Sequence, residues 1–419
     1  IKEYENRNAF DVFRDQSPYY MGKMDLWYGF ACIGIDLLKP DGQLCFIAQN
    51  NWTTSAGAAK MRTKVLEDVR IISLLDFNDY KIFESAGIQT MVMLFKKGRD
   101  NACYTFKQYT LPNGAVRSDM LKAISDETCM EPFVFERAKY EGKQFTFSEN
   151  ESLLDKISEG KARFFDDEVA QGIVFPQDFL DRKGAEKLGG THQKGDGVFG
   201  LTQTQLDSLG LDAAESLLIR PYFNSNQIFR YYTSPQNVLW MIYTDSSFKN
   251  PNSMDGFPKL KQHLDQYQSV ITSSNKPYGL HRSRQERFFK GEKIISQRKC
   301  VGKPVFSYSD FDCYVTQTYF SIKTQRWNLK FLTGLLNSTL IAFWLHEHGK
   351  MQGENYQVDK VPLMEIPLVE PTPEQGLPII ALVDEILAAK KDNLSVDVSA
   401  LEEKIDKKVF DLYGLTPEE

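Results

Sequence analysis

Residues 23–52, KMDLWYGFACIGIDLLKPDGQLCFIAQNNW, decide the fold. Leu26, Phe30, Ile33 and Leu37 recur at helical spacing and predict one apolar helix face laid on a sheet. Pro40-Asp41-Gly42 then stops the helix, because Pro cannot extend it and Gly accepts the positive φ of a tight turn. The apolar run Leu44, Cys45, Phe46, Ile47 and Ala48 follows at once and predicts a central parallel strand covered on both faces. Asn50, Asn51 and Trp52 therefore fall at the carboxyl end of that strand, where open α/β sheets place their ligands.

Working outward, Met61, Val65 and Val69, with Ala58 and Leu66 beside them, predict a second crossover helix over 57–69. Residues 70–77 (RIISLLDF) and 88–96 (IQTMVMLFK) predict two further strands, the first of them parallel. Strand, helix, strand, loop, strand is the back half of a doubly wound sheet, and residues 1–22 read as a loop.

From residue 164 the texture changes to short alternating segments broken by Gly, Pro and Asn. In CYVTQTYFSIKT the alternation puts Tyr314, Thr316 and Thr318 on one strand face and Val315, Gln317 and Tyr319 on the other. Residues 327–346 return to helix, with Leu332, Leu335, Leu336, Leu340 and Phe343 as the buried stripe. Two amphipathic helices follow over 371–391 and 398–413, and Gly414 is placed to cap the second. The expected fold class is thus a partial doubly wound, Rossmann-like α/β sheet followed by an α+β, β-rich domain and C-terminal helices. The expected divisions are 1–110, a connecting region 111–163, then 164–370 and 371–419.

With 42% hydrophobic and 25% charged residues over 419 positions, the chain is expected to be soluble and globular. No apolar run is long enough to span a bilayer. Six cysteines without CxxC spacing suggest neither a zinc ribbon nor a disulfide framework, and point to a reduced, cytoplasmic protein. The pair His346 and His348 does not make a metal site, since rings at i and i+2 of a helix point apart.

A net charge of −6 argues against a protein that coats nucleic acid everywhere, yet nine Lys or Arg face two acids between residues 276 and 303. One concentrated basic segment suits a localised phosphate-binding face. The candidate contacts there are Arg282, Arg284, Arg287, Lys290, Lys293, Arg298, Lys299 and Lys303, interleaved with Tyr278, Phe288 and Phe289. Arg282, Arg284 and Arg287 include a candidate base reader, because a guanidinium fork matches guanine O6 and N7. Lys290 and Lys293 read equally as a solvated face. Arg220, Asn224, Asn226 and Arg230 form a second candidate group, with turn-shaping as the competing reading.

DLWYGF, LLKPDG and a strand followed by an Asn-aromatic pair resemble the second half of the catalytic domain of adenine-specific DNA methyltransferases of the TaqI-like and type IIG restriction-modification group. QGI, RPYFNSNQIFRY, KIISQR and LLNSTLIAFWL, in that order over residues 168–367, resemble the target-recognition domain of the same enzymes. IDKKVFDLYGLTPEE is similar to the family's usual terminus. The catalytic motif of that family, Asn-Pro-Pro-Tyr, is not in this sequence. IKEYENRNAF is similar to the residues that the family carries directly after that motif, so the resemblance places the motif just upstream of Ile1, in a longer natural polypeptide.

The resemblance implies a parent enzyme that transfers methyl from S-adenosylmethionine to the exocyclic amine of an adenine swung out of double-stranded DNA. It implies that Phe83 stacks on that base, although by residue type alone Phe83 reads more readily as a core residue. It also implies that Asn50, Asn51 and Trp52 border the pocket. The present chain alone is expected to show negligible transfer and little affinity for S-adenosylmethionine. The missing catalytic half or a nuclease domain are the further partners expected, and a membrane is not. The rival readings are a stand-alone DNA-specificity subunit and a non-enzymatic structural or carbohydrate-binding protein.

Overall fold

Helix α1 (Arg7–Gln16) stands where the sequence reads as loop. The computed structural model describes residues 7–22, 24–83, 88–98, 102–145, 147, 151–352, 355–416 and 419. Residues 1–6, which open the IKEYENRNAF segment, and 84–87, which follow Phe83 in the sequence, lie outside the described residues. The chain divides into two units, Ile1–Ser152 with Glu347–Asn355, and Leu153–His346 with Tyr356–Glu419.

In the first unit the predicted helix forms as α2 (Leu26–Leu37), but turned about its axis. Tyr28, Ala31, Cys32 and Ile35 are buried, whereas Phe30 is 59% and Leu37 80% exposed, with Ile33 also outward. Nearly every residue of LWYGFACIGIDL is apolar, so spacing alone does not choose the face; small residues do, by permitting close approach. A side chain at Gly29 would meet the Phe13 ring at 2.2 Å. In the turn that follows, Asp41 rather than Gly42 takes the positive φ, +62°. Gly42 is required for space, since its Cβ would lie 2.8 Å from the Lys39 carbonyl oxygen.

Strands β1 (Gln43–Gln49), β2 (Val69–Asp76), β3 (Thr90–Lys97), β4 (Cys103–Thr110) and β5 (Glu131–Glu136) form one sheet in the order β1-β3-β2-β4-β5. The crossover helix α3 (Ala59–Asp68) buries Met61, Val65 and Leu66 as predicted. The sheet is mixed rather than wholly parallel: β3 runs antiparallel between β1 and β2, and β4 runs parallel to β2. That inserted strand leaves β1 at the margin. Strand β1 is therefore not covered on both faces, and Cys45 and Ile47 are exposed while Leu44, Phe46 and Ala48 are half-buried. Strand β5 escaped the sequence reading. Its EPFVFE alternates, and Pro132 is tolerated because β5 is the opposite margin.

Two sheets carry the core of the second unit. Strands β6 (Val169–Gln171), β7 (Gly200–Thr202), β8 (Ile219–Tyr222), β9 (Tyr231–Tyr232), β10 (Leu239–Ile242), β11 (Lys293–Gln297), β12 (Phe306–Ser309) and β13 (Tyr319–Ile322) assemble in the orders β6-β13-β11-β12-β9 and β7-β10-β8. The predicted long strand in CYVTQTYFSIKT is confined to β13. Residues 313–318 leave the ladder to cross the 171–174 segment, and Tyr314 and Val315 are both buried rather than alternating. The expected single helix over 327–346 is two, α4 (Leu329–Leu336) and α5 (Thr339–His348). Asn337 breaks it, because its side chain bonds the backbone of Phe306 and Thr333. The helices α6 (Pro373–Asp392) and α7 (Ser399–Tyr413) pack into the same core as α4 through Ile379, Val383, Ile405 and Val409. Gly414 closes α7 with φ +65°.

Candidate nucleic-acid interface

The carboxyl ends of β1 and β2 carry a polar network in the first unit. Asn50 Nδ2 donates to Asp76 Oδ2 at 3.0 Å, and the Asn78 backbone N–H donates to Asp76 Oδ1 at 2.8 Å. Burial pushes the Asp76 carboxyl up, against those two hydrogen bonds. Asn51 accepts from Tyr28 Oη at 3.2 Å. Trp52 is fully buried against Phe95 and Phe145.

Beside this network lies a cavity of about 160 Å³, lined by Thr53, Thr54, Leu74, Asp76, Gln108 and Thr110 among others. Asn50, Asn51 and Trp52 do not line it; Asn50 borders it only by holding Asp76. Phe83, in the loop after β2, is 44% exposed. Sequence reasoning missed Asp76, Gln108 and Thr110, although the parallel alignment of β2 with β4 brings their positions together.

The basic segment does not form a uniform charged face. Lys293 is fully buried in β11, with Nζ donating to the carbonyls of Gly291 at 2.7 Å and Phe311 at 2.5 Å. Burial pushes its ammonium down to about 8, and it is not available to a phosphate. Arg220 is spent on Glu286 at 2.7 Å and on the carbonyl of Leu217. Arg230 is spent on Glu402, Pro304 and Asn337. Arg298 pairs with Asp359 at 2.6 Å, Lys290 with Glu286 at 3.2 Å and Lys303 with Glu402 at 3.4 Å. Asn224 Oδ1 accepts from the Asn226 backbone N–H at 2.9 Å, as a turn residue does.

What remains outward is a shorter set. Arg282 and Lys299 are exposed and, like Lys276, make no ion pair among the described residues. Arg287 is exposed over the Phe288 ring, with Nη2 on the Asp167 carbonyl at 2.6 Å. Arg284 is half-buried and held by Gln171 and Gly172.

Residues 2–83 match the Eco57I restriction-modification methylase family, and residues 221–368 match the TaqI-like C-terminal specificity domain. The chain thus joins a segment of the Eco57I restriction-modification methylase family to a TaqI-like C-terminal specificity domain. Among solved structures, the chain is similar to the type IIL restriction-modification enzyme MmeI in complex with DNA, at 13% identity and a TM-score of 0.58, over 98% of this chain and 52% of that one. It is also similar to the type IIG restriction endonuclease BpuSI, at 13% identity and TM-score 0.33 over 98% and 52%. A third likeness is to the DrdV–DNA complex, at 13% and 0.45 over 94% and 42%. The chain thus spans about half the length of the solved structures it matches. Among the described residues, no helix of this chain is long and apolar enough to cross a membrane.

Proposed function

We propose that this chain is the sequence-reading part, with the trailing half of the methyl-transfer sheet, of a site-specific DNA adenine methyltransferase. The observation that carries the reading is the set of exposed cations Lys276, Arg282 and Lys299, without an ion pair among the described residues, on the unit that matches the TaqI-like specificity domain. Unpaired surface cations bind backbone phosphates by releasing counterions. Further support comes from the margin of β1, where Phe30, Ile33 and Leu37 on one layer and Ile47 on the other are exposed together. A sheet continued past β1, with helices on both sides, covers both layers at once.

Phe83 is the candidate platform for an extruded adenine, since its exposed ring replaces stacking lost on leaving the duplex. S-adenosylmethionine is the methyl donor of this reading. The residues present do not fit it by themselves: the strand-end cavity of about 160 Å³ is below the roughly 300 Å³ at which cofactor sites begin. The GxGxxG of the sequence, residues 195–200, lies in the second unit and leads into strand β7 instead of running from a strand into a helix, so it is not a cofactor loop.

The test is to express the chain with and without the polypeptide encoded immediately upstream of it and to measure N6-methyladenine in duplex DNA. Methylation at one defined sequence is expected only from the joined protein. A folded joined protein that binds its site yet leaves adenine unmodified contradicts the enzyme reading, whereas a partner chain that supplies the missing strands favours a specificity subunit.

A further inference from the structure

Three segments separated in sequence meet at one point of the specificity domain. Gly172 passes so close to the 313–319 segment that a Cβ would lie 2.1 Å from the Thr316 carbonyl oxygen. Backbone bonds clasp the crossing: Gly172 N–H to Tyr319 O at 2.9 Å, Ile173 N–H to Val315 O at 2.9 Å, and Gln317 N–H to Ile173 O at 2.8 Å. Val174 and Arg282 exchange a further pair at 3.0 and 3.2 Å. The QGI, VTQT and HRSR segments are thereby fixed to one another through main chain, which makes a rigid platform for whatever side chain stands on it.

Arg284 stands on it in an unusual way. Its φ is +64°, a left-handed conformation that a long side chain adopts only where its surroundings enforce it. Its Nε donates to the Gly172 carbonyl at 3.3 Å, and its Nη2 to Gln171 Oε1 at 3.0 Å. Gln171 is held in turn, its Nε2 donating to the Gln317 carbonyl at 3.0 Å. Nε and Nη2 form the side edge of the guanidinium, so that edge is spent. The end edge, Nη1 with the second proton of Nη2, makes no hydrogen bond among the described residues.

We propose that Arg284 reads a guanine of the recognised sequence through this end edge and that Gln171 is its positioning residue; the assignment rests on the reading of this domain as DNA-binding. Two parallel N–H groups match the adjacent O6 and N7 acceptors that guanine presents in the major groove, whereas adenine puts an amine donor in place of O6. A phosphate contact needs only a cation within reach, as Arg282 supplies. Clamping one edge of the fork and accepting a left-handed backbone fixes direction, and direction is what base discrimination requires.

The experiment is selection from a randomised duplex library by the full chain, with salt-dependent binding measured in parallel. Arg284→Gly is the first variant, because glycine takes φ +64° freely and the fold is kept. Arg284→Lys is the second, because it keeps the charge and removes the fork. Wild type is expected to select guanine at one position by about 10-fold or more. Both variants should reduce that ratio below about 3-fold while every other position keeps its preference, and Gln171→Leu should weaken the same position. If Arg284→Gly keeps every positional preference, or loses affinity uniformly with a shallower salt slope, the guanine assignment is overturned while the DNA-binding reading stands. If wild type selects no sequence at all, the DNA-binding reading itself fails and takes the assignment with it.

Discussion

Arg230 donates from Nε to Oε1 of Glu402 at 2.8 Å, tying the loop before β9 to α7 with both side chains mostly buried. Its other nitrogens bond the Pro304 carbonyl and Asn337, so the guanidinium joins the specificity sheet to the helical core. Arg230→Ala should therefore lower the denaturation midpoint by the equivalent of about 2 to 4 kcal/mol, because it leaves a mostly buried carboxylate with only the exposed Lys303 and takes the donor from three acceptors, Pro304 O and the two oxygens of Asn337. The salt slope of DNA binding by the surviving folded protein should not change. A slope reduced by one would return Arg230 to the phosphate contacts.

Lys293 gives a pH signature of known sign. Its folded value near 8 lies below the ordinary lysine value, so between the two the unfolded chain binds the extra proton and folding becomes more favourable as pH rises. Lys293→Met should gain its largest advantage over wild type at or below pH 8. That advantage should shrink by on the order of 2 kcal/mol by pH 9.5. Urea midpoints of the two proteins at pH 7.5 and 9.5 test this; parallel shifts contradict it.

Arg282→Ala and Lys299→Ala each remove an exposed cation that has no ion pair among the described residues. Each should leave the melting temperature within about a degree and lower the slope of log Kd against log salt by roughly one. Lys303→Ala should do less, since Lys303 is already engaged by Glu402.

Phe83→Ala in the protein joined to its upstream half should weaken extrusion of the target base by roughly 1 to 3 kcal/mol. Fluorescence of 2-aminopurine at the target position reads this directly. Unchanged fluorescence together with a lowered melting temperature would make Phe83 a packing residue.

Gly172→Ala should destabilise the second unit by about 1 to 3 kcal/mol, since the obstructing atoms are backbone and cannot swing aside. A circular-dichroism melt is sufficient to measure it.

Local periodicity was enough to place α2, α3 and β1 to β3, because each carries its signal within a dozen residues. It failed where the outcome is set by a distant partner. The buried face of α2 depends on what small Gly29, Ala31 and Cys32 allow to approach, and the exposure of β1 depends on β3, about 45 residues later, being the strand inserted beside it. The basic segment shows the same limit for the site. Composition marks 276–303 as cationic, but only folding brings Asp359 and Glu402 from elsewhere to engage Arg298 and Lys303, and buries Lys293 altogether. Gln171 offered no signal of charge or spacing, and its contact with Arg284 spans 113 positions.

The uncovered margin of β1 has a practical consequence for handling the isolated polypeptide. Its main-chain donors and acceptors offer a ready template to any extended chain, and the flanking apolar residues favour whatever docks there. Left alone at high concentration, molecules should associate edge to edge before they unfold, so particle size in light scattering should grow with concentration. Capping that margin with the complementary strands should keep the same sequence dispersed.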